Sequence, residues 1–160
     1  MDTHDAYARY GPALVRKAER LLANREDSCD VVQSLFADLL QAGHAELDLP
    51  YLYRAVTNRC LTMIRDHRTH ERLLQRETPT LRGPARTRCD DEVLGVDLLL
   101  KLAERLDGGT LEVLVHRYWD DLSQVEIAEL TGQSRKTIGR RLTRIREEVV
   151  RLLEAREALR

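Results

Sequence analysis

The sequence predicts an all-α protein: two small helical domains joined by a flexible linker, the second containing a helix-turn-helix. Three observations carry that expectation. The 160 residues include only five Tyr, one Trp, one Phe and eight Gly, too few ring and turn residues for a sandwich or barrel. Apolar residues recur at helical spacing in both halves of the chain. Between the halves, Thr78 to Asp90 reads TPTLRGPARTRCD, with two Pro, one Gly and no helical period, which is linker chemistry. The first domain is placed at 1–75, the linker at 76–91 and the second domain at 92–160, each near the lower size for an independent core.

In the first domain, Tyr10 to Asn24 carries Leu14, Ala18, Leu21 and Leu22 on one helical face, and Asn24-Arg25-Glu26-Asp27 ends it. A second helix starts with Asp27 or Asp30 as cap, and Val31, Val32, Leu35, Phe36, Leu39 and Leu40 follow at 3.6-residue spacing. That face is wide for a surface helix. After the loop Gly43 to Asp48, Pro50 sits where a first-turn proline is tolerated, and a long helix runs from Tyr51 to about Gln75. Leu52, Val56, Cys60 and Met63 or Ile64 form its buried stripe. On another side Arg54, Asn58, Arg65, Arg68 and Arg72 make a basic ridge with an amide in it.

In the second domain, Ser123 to Glu126 is a capping box opening a short helix with Ile127, Ala128 and Leu130. Thr131-Gly132-Gln133 makes a tight turn, and Ser134 caps the next helix. Gly132 stands where the chain turns sharply and a left-handed backbone is commonly needed. The last helix buries Ile138, Leu142, Ile145, Val149 and Leu152, with Lys136, Arg140, Arg141 and Arg144 opposite. In such a motif the second helix enters the major groove, its first residues meeting base edges while cations beyond hold phosphates. Arg pairs bidentately with guanine, and the Thr137 methyl can touch thymine. Cap, Gly turn, second cap and one-sided Arg together point to DNA binding.

The net charge of −1 conceals a block pattern. Residues 1–50 hold 5 basic and 9 acidic side chains, 51–90 hold 9 and 4, 91–130 hold 3 and 10, and 131–160 hold 9 and 4. Two separate positive surfaces can therefore face a polyanion in a nearly neutral chain. No run approaches the roughly 18 apolar residues of a membrane span, and Met1 to Tyr10 lacks the pattern of a secretion signal, so a cytoplasmic protein that does not engage membranes is expected. Cys29, Cys60 and Cys89 are far apart and in no CxxC spacing, which suggests neither a disulfide framework nor a zinc site. His67 and His70 are read as solvated. With no Gly-rich phosphate loop, no nucleophile with its base and no recognisable carboxylate pair, no enzyme activity, cofactor or metal is expected.

Taken in order, these segments resemble the extracytoplasmic-function (ECF) sigma factors of bacterial RNA polymerase. LSQVEIAELTGQSRKTIGRRLTRIREEV, Leu122 to Val149, is similar to the helix-turn-helix of the family's fourth region, and LEVLVHRYWDD, Leu111 to Asp121, to the helix before it. YGPALVRKAERLL (Tyr10 to Leu22), REDSCDVVQSLFADLL (Arg25 to Leu40) and LPYLYRAVTNRCLTMIRDHR (Leu49 to Arg68) resemble the three helices of the second region. Order and spacing carry the likeness more than any one fragment.

The resemblance implies a factor that binds core RNA polymerase and directs initiation at promoters by recognising minus-35 and minus-10 elements. It assigns Ser134, Arg135, Lys136, Thr137, Arg140, Arg141 and Arg144 to minus-35 duplex DNA. Tyr53, Arg54, Asn58, Arg65 and Arg68 fall to the minus-10 element and its melted strand. Asp30, Val31, Gln33, Leu35 and Phe36 match the surface that grips the coiled coil of the polymerase's largest subunit, with Leu35 and Phe36 open equally to an intradomain core role. Arg82, Arg86 and Arg88 are compatible with a linker near the polymerase active site. An anti-sigma factor is a possible further partner. The sequence departs from the family pattern at Ser34 and Thr62, where acidic residues are usual, at Leu106-Asp107-Gly108-Gly109 in place of Leu-Pro, and at Arg135. The competing interpretation is a stand-alone helix-turn-helix regulator whose first domain senses a ligand or dimerises.

Overall fold

The computed structural model describes residues 3–43, 47–77 and 90–158, and every regular element among them is helical. Helix α1 spans Thr3–Leu22, beginning well before the expected Tyr10. Gly11 and Pro12 do not break it, because the first turns are held by packing: Ala6 is fully buried, and the Tyr7 ring meets Phe36 edge-on, with centroids 5.1 Å apart at 81°. Tertiary burial here outweighs the local helix-breaking tendency of the pair.

Helix α2 covers Arg25–Ala42, and its cap is Asn24 rather than Asp27 or Asp30. The Asn24 side chain accepts from the Glu26 and Asp27 amides at 2.9 and 3.4 Å, placing both acidic residues in the first turn, where they favour the helix dipole. Gly43, at φ 65°, closes the helix. Helix α3 spans Leu49–Glu77, and Asp48 accepts from the Tyr51 amide at 2.8 Å. Leu52, Val56, Cys60 and Ile64 are buried as the spacing demands, Met63 only partly. Burial pushes the Cys60 thiol up to about 12, so it stays a protonated core side chain.

The second group comprises α4 (Asp90–Ala103), α5 (Gly108–Tyr118), α6 (Gln124–Thr131) and α7 (Arg135–Glu157). Where Leu-Pro was the family expectation, Asp107 caps α5, accepting from the Thr110 amide at 2.9 Å and from its hydroxyl at 2.8 Å. The departure from the pattern thus retains a helix start. Ile138, Leu142 and Ile145 of α7 are buried, while Val149 and Leu152 are only partly covered.

The helices group as two bundles, α1–α3 and α4–α7, and the bundles are packed together. Helix α3 touches α1 and α2 on one side and α4, α5 and α6 on another. The buried apolar residues run without interruption from Leu14, Val32 and Val56 into Leu99, Leu111 and Ile145. Residues 78–89 of the expected linker, with Arg82, Arg86, Arg88 and Cys89, lie outside the described residues.

Candidate nucleic-acid interface

The helix-turn-helix is assembled by local chemistry. Ser123 and Glu126 close a reciprocal capping box on α6, the Ser123 amide donating to the Glu126 carboxylate at 2.7 Å. Hydrogen bonding from the Ser123 side chain, and then from its amide, holds the Glu126 carboxyl below its ordinary value. Gly132 takes φ 67°, and the Gln133 amide donates back to Ala128 O at 3.0 Å, the backbone solution anticipated for a turn between helices. Ser134 caps α7 by accepting from the Thr137 amide at 3.1 Å. Across the motif, Gln124 Nε2 donates to Arg135 O at 2.7 Å, tying the start of α6 to the start of α7.

This leaves one side of the first turns of α7 facing water, with Ile138 buried on the other. Ser134, Arg135, Lys136, Arg140 and Arg144 are exposed, and Thr137 and Arg141 are half-buried. Arg140 has no side-chain partner among the described residues. Arg144 donates to Asp107 at 3.0 Å with both side chains about half exposed, so in water the pair is weak and easily exchanged. Arg141 lies against Gly109, where a Cβ would overlap its guanidinium; its Nη1 is buried without an acceptor. Burial by itself would raise the Asp107 carboxyl, but hydrogen bonds from Thr110 and the charges of Arg141 and Arg144 hold it below its ordinary value.

The α3 ridge is also assembled, yet it is occupied. Arg54 Nε donates to Glu112 Oε1 at 2.6 Å, and Asn58 Nδ2 reaches the same oxygen at 3.2 Å. Arg65 Nη2 donates to Leu106 O at 3.0 Å. Tyr53 is half-buried under Lys17, whose Nζ stands 4.2 Å from the ring centroid. The side chains of Arg68 and Arg72 lie outside the described residues. Tyr51, the other ring on this helix, is exposed.

The expected polymerase surface divides. Asp30 and Gln33 are exposed, whereas Val31, Leu35 and Phe36 are buried in the α1–α3 core. The width of the apolar face on α2 therefore comes from packing between α1 and α3, and these three do not form an exposed apolar patch. The physical reason is that α2 contacts both α1 and α3 and needs two adjacent apolar stripes. The large apolar groups left exposed nearby are Leu40, at 60%, and Tyr7. Ser34 is exposed and accepts from Arg59 at 3.2 Å, while Arg59 also pairs with Asp38.

Sequence reasoning missed a buried polar cluster between the bundles. Lys17 of α1 donates to both oxygens of Asp120, at 2.7 Å to Oδ1, and His116 Nδ1 lies 2.9 Å from Oδ2. The Lys17, His116 and Asp120 side chains are 3%, 0% and 4% exposed. Burial depresses Lys17 in spite of the carboxylate beside it. For Asp120 burial acts upward, but bonds from His116 and Lys17 prevail and hold it below its ordinary value. The only available signal was Lys17 standing next to Ala18 within an apolar stripe. Among the described residues no group of His, Cys, Asp and Glu has the arrangement of a metal site, and no helix is long and apolar enough to cross a membrane.

Comparison with known proteins now bears on this geometry. Residues 6–70 match the family profile described as Sigma-70 region 2, and residues 97–149 match Sigma-70, region 4. No curated protein matches the chain. Among solved structures, the chain is similar to the sigma factor RpoE from Bartonella quintana in complex with the anti-sigma factor NepR. That match has 19% identity and a TM-score of 0.53, and covers 94% of this chain and 96% of that one. It is also similar to CnrH in complex with the cytosolic domain of CnrY, at 26% identity and a TM-score of 0.55, over 96% of this chain and 88% of that one. Region 2 falls on the bundle with the basic ridge and region 4 on the bundle with the capped helix-turn-helix, and on that ground the chain belongs to the sigma-70 family as an ECF sigma factor that directs promoter-specific transcription.

Proposed function

We propose that this sigma factor binds core RNA polymerase and sets its two bundles on the two promoter elements, acting by DNA recognition rather than catalysis. The carrying observation is the doubly capped helix-turn-helix, whose α7 presents exposed cations on one side and buried Ile138, Leu142 and Ile145 on the other. Ser134, Arg135, Lys136 and Thr137 meet base edges in the minus-35 major groove, while Arg140, Arg141 and Arg144 read guanine or hold phosphates. On α3, Arg54, Arg65 and Arg68 neutralise phosphates of the minus-10 element. Asn58 and Tyr53 hold bases of the opened strand by hydrogen bonding and stacking. With so few rings, strand opening depends on favourable promoter sequence. Asp30 and Gln33, both exposed on α2, contact the coiled coil of the polymerase's largest subunit.

Each bundle alone binds DNA weakly, and tethering both to polymerase makes the second contact intramolecular. Both similar structures hold a second protein, in one case an anti-sigma factor, which supports an anti-sigma partner for this chain as well. The test is reconstitution: the purified chain with core polymerase is expected to co-elute on gel filtration and to yield transcripts from discrete start sites. No co-elution and no specific transcript would defeat the proposal.

A further inference from the structure

Two kinds of contact hold α7 in its motif. Ile138, Leu142 and Ile145 bury an apolar stripe, which attracts without direction and does not by itself fix how the helix is turned about its axis. A directional contact adds to it: Gln124, the first residue of α6, donates from Nε2 to Arg135 O at 2.7 Å. The donor is anchored, because Ser123 and Glu126 lock the turn it stands on in their reciprocal capping box. The acceptor lies four residues before Gly139, about one turn of helix, and Gly139 leaves the space above it open. A Cβ there would lie 2.9 Å from the same Nε2, well inside the ordinary separation of two non-bonded heavy atoms. Among the described glycines only Gly43 and Gly132 take a positive φ, so backbone conformation does not ask for glycine at 139. Glycine inside a helix is disfavoured against alanine, and what offsets it here is room for the Gln124 amide. Gly139 also stands between buried Ile138 and exposed Arg140, so any shift of that amide turns Lys136, Thr137 and Arg140 relative to α6.

We propose that Gln124 and Gly139 are a specificity-determining pair, which sets the tilt and rotation at which α7 enters the groove and acts through Arg135, Lys136, Thr137 and Arg140 rather than by touching a base. Both are positioning residues, and the proposal rests on the assignment of α7 to the minus-35 element. Reading a base edge needs donor and acceptor placed to within about half an ångström, whereas the charge attraction of cations to phosphates tolerates a displaced helix. Loosening the pair therefore erodes discrimination between sequences more than it erodes overall affinity.

Holoenzyme is reconstituted from core polymerase and the full chain, and a promoter is taken from its mapped start sites. Binding is measured to that promoter and to versions with single base changes in the minus-35 element, over a range of salt, for wild type, Gln124→Ala, Gly139→Ala and the double variant. Circular dichroism follows helix content and thermal midpoint of the same chains. Each single variant is expected to lower the ratio of affinities for intact and altered elements by about tenfold, the value of one well-placed base contact, with an unchanged salt slope. The double variant should discriminate no worse than Gln124→Ala, because with the amide gone the added methyl meets nothing else, and its thermal midpoint should exceed that of Gln124→Ala, since alanine is the better helix former. Wild-type discrimination in both single variants, whatever their stability, overturns the proposal, and so does a double variant whose losses add. If the sigma reading itself is at fault, the sign is different: wild type yields no start site, or one bound with indifference to minus-35 changes, and the proposal falls together with the assignment of α7.

Discussion

Ala23, between α1 and α2, holds φ 53°, a left-handed backbone that costs an L-residue about 1–2 kcal/mol. Its amide nevertheless closes α1 by donating to Glu19 O at 2.9 Å. Ala23→Gly should therefore stabilise the chain by about 0.5–1 kcal/mol, after the extra entropy glycine loses on folding, as read from urea midpoints at unchanged m-value. Asp120 sets a pH dependence. Its folded pKa lies below its ordinary value, so the unfolded chain binds the proton more readily. The contribution to stability is full above the ordinary carboxylate range and lost as pH falls through the lower folded value. Urea unfolding at successive acidic pH values should show this decline in wild type and a shallower one in Asp120→Asn. Equal slopes would mean that the Lys17–Asp120–His116 cluster does not govern acid stability.

At the scale of the element, α7 separates cations by their partners. Arg140 is exposed with no side-chain partner among the described residues, Arg144 is shared with Asp107, and Arg141 is pressed against Gly109. Arg140→Ala should weaken holoenzyme binding to promoter DNA by about 1–3 kcal/mol if it reads a base. Arg144→Ala should cost less and reduce the salt slope by about one, the signature of a phosphate contact. Titrations over a range of salt concentrations distinguish the two; full affinity in both variants would take α7 out of the interface. The helix itself was legible because its caps are local: Ser123, Gly132 and Ser134 announce their roles within three or four residues. The start of α1 was not, since Gly11-Pro12 resembles a stop locally and the burial of Ala6 and the contact of Tyr7 with Phe36 override it.

For the whole molecule, the continuous core implies cooperative unfolding. Leu99 and Leu111 belong to the same buried cluster as Leu14 and Val56, and the single Trp119 sits at the junction, its carbonyl held by Arg20. Circular dichroism and Trp fluorescence should trace one coincident urea transition. Two separated transitions would show that the bundles fold independently and that the interface contributes little.

The amino-acid sequence by itself determined the helical class, the two-bundle division, the buried stripe of α3 and the helix-turn-helix, because each depends on spacing and capping that act over a few residues. It also picked out the cations proposed for the two DNA surfaces. Only the tertiary structure decided that Val31, Leu35 and Phe36 serve the core. The same is true of Lys17, which is buried against an aspartate 103 residues away, and of Glu112 of α5, which accepts from Arg54 and Asn58 of α3. Those outcomes depend on which helix faces meet, and a face that is apolar or charged in sequence carries no mark of whether a partner helix, another protein or water will cover it.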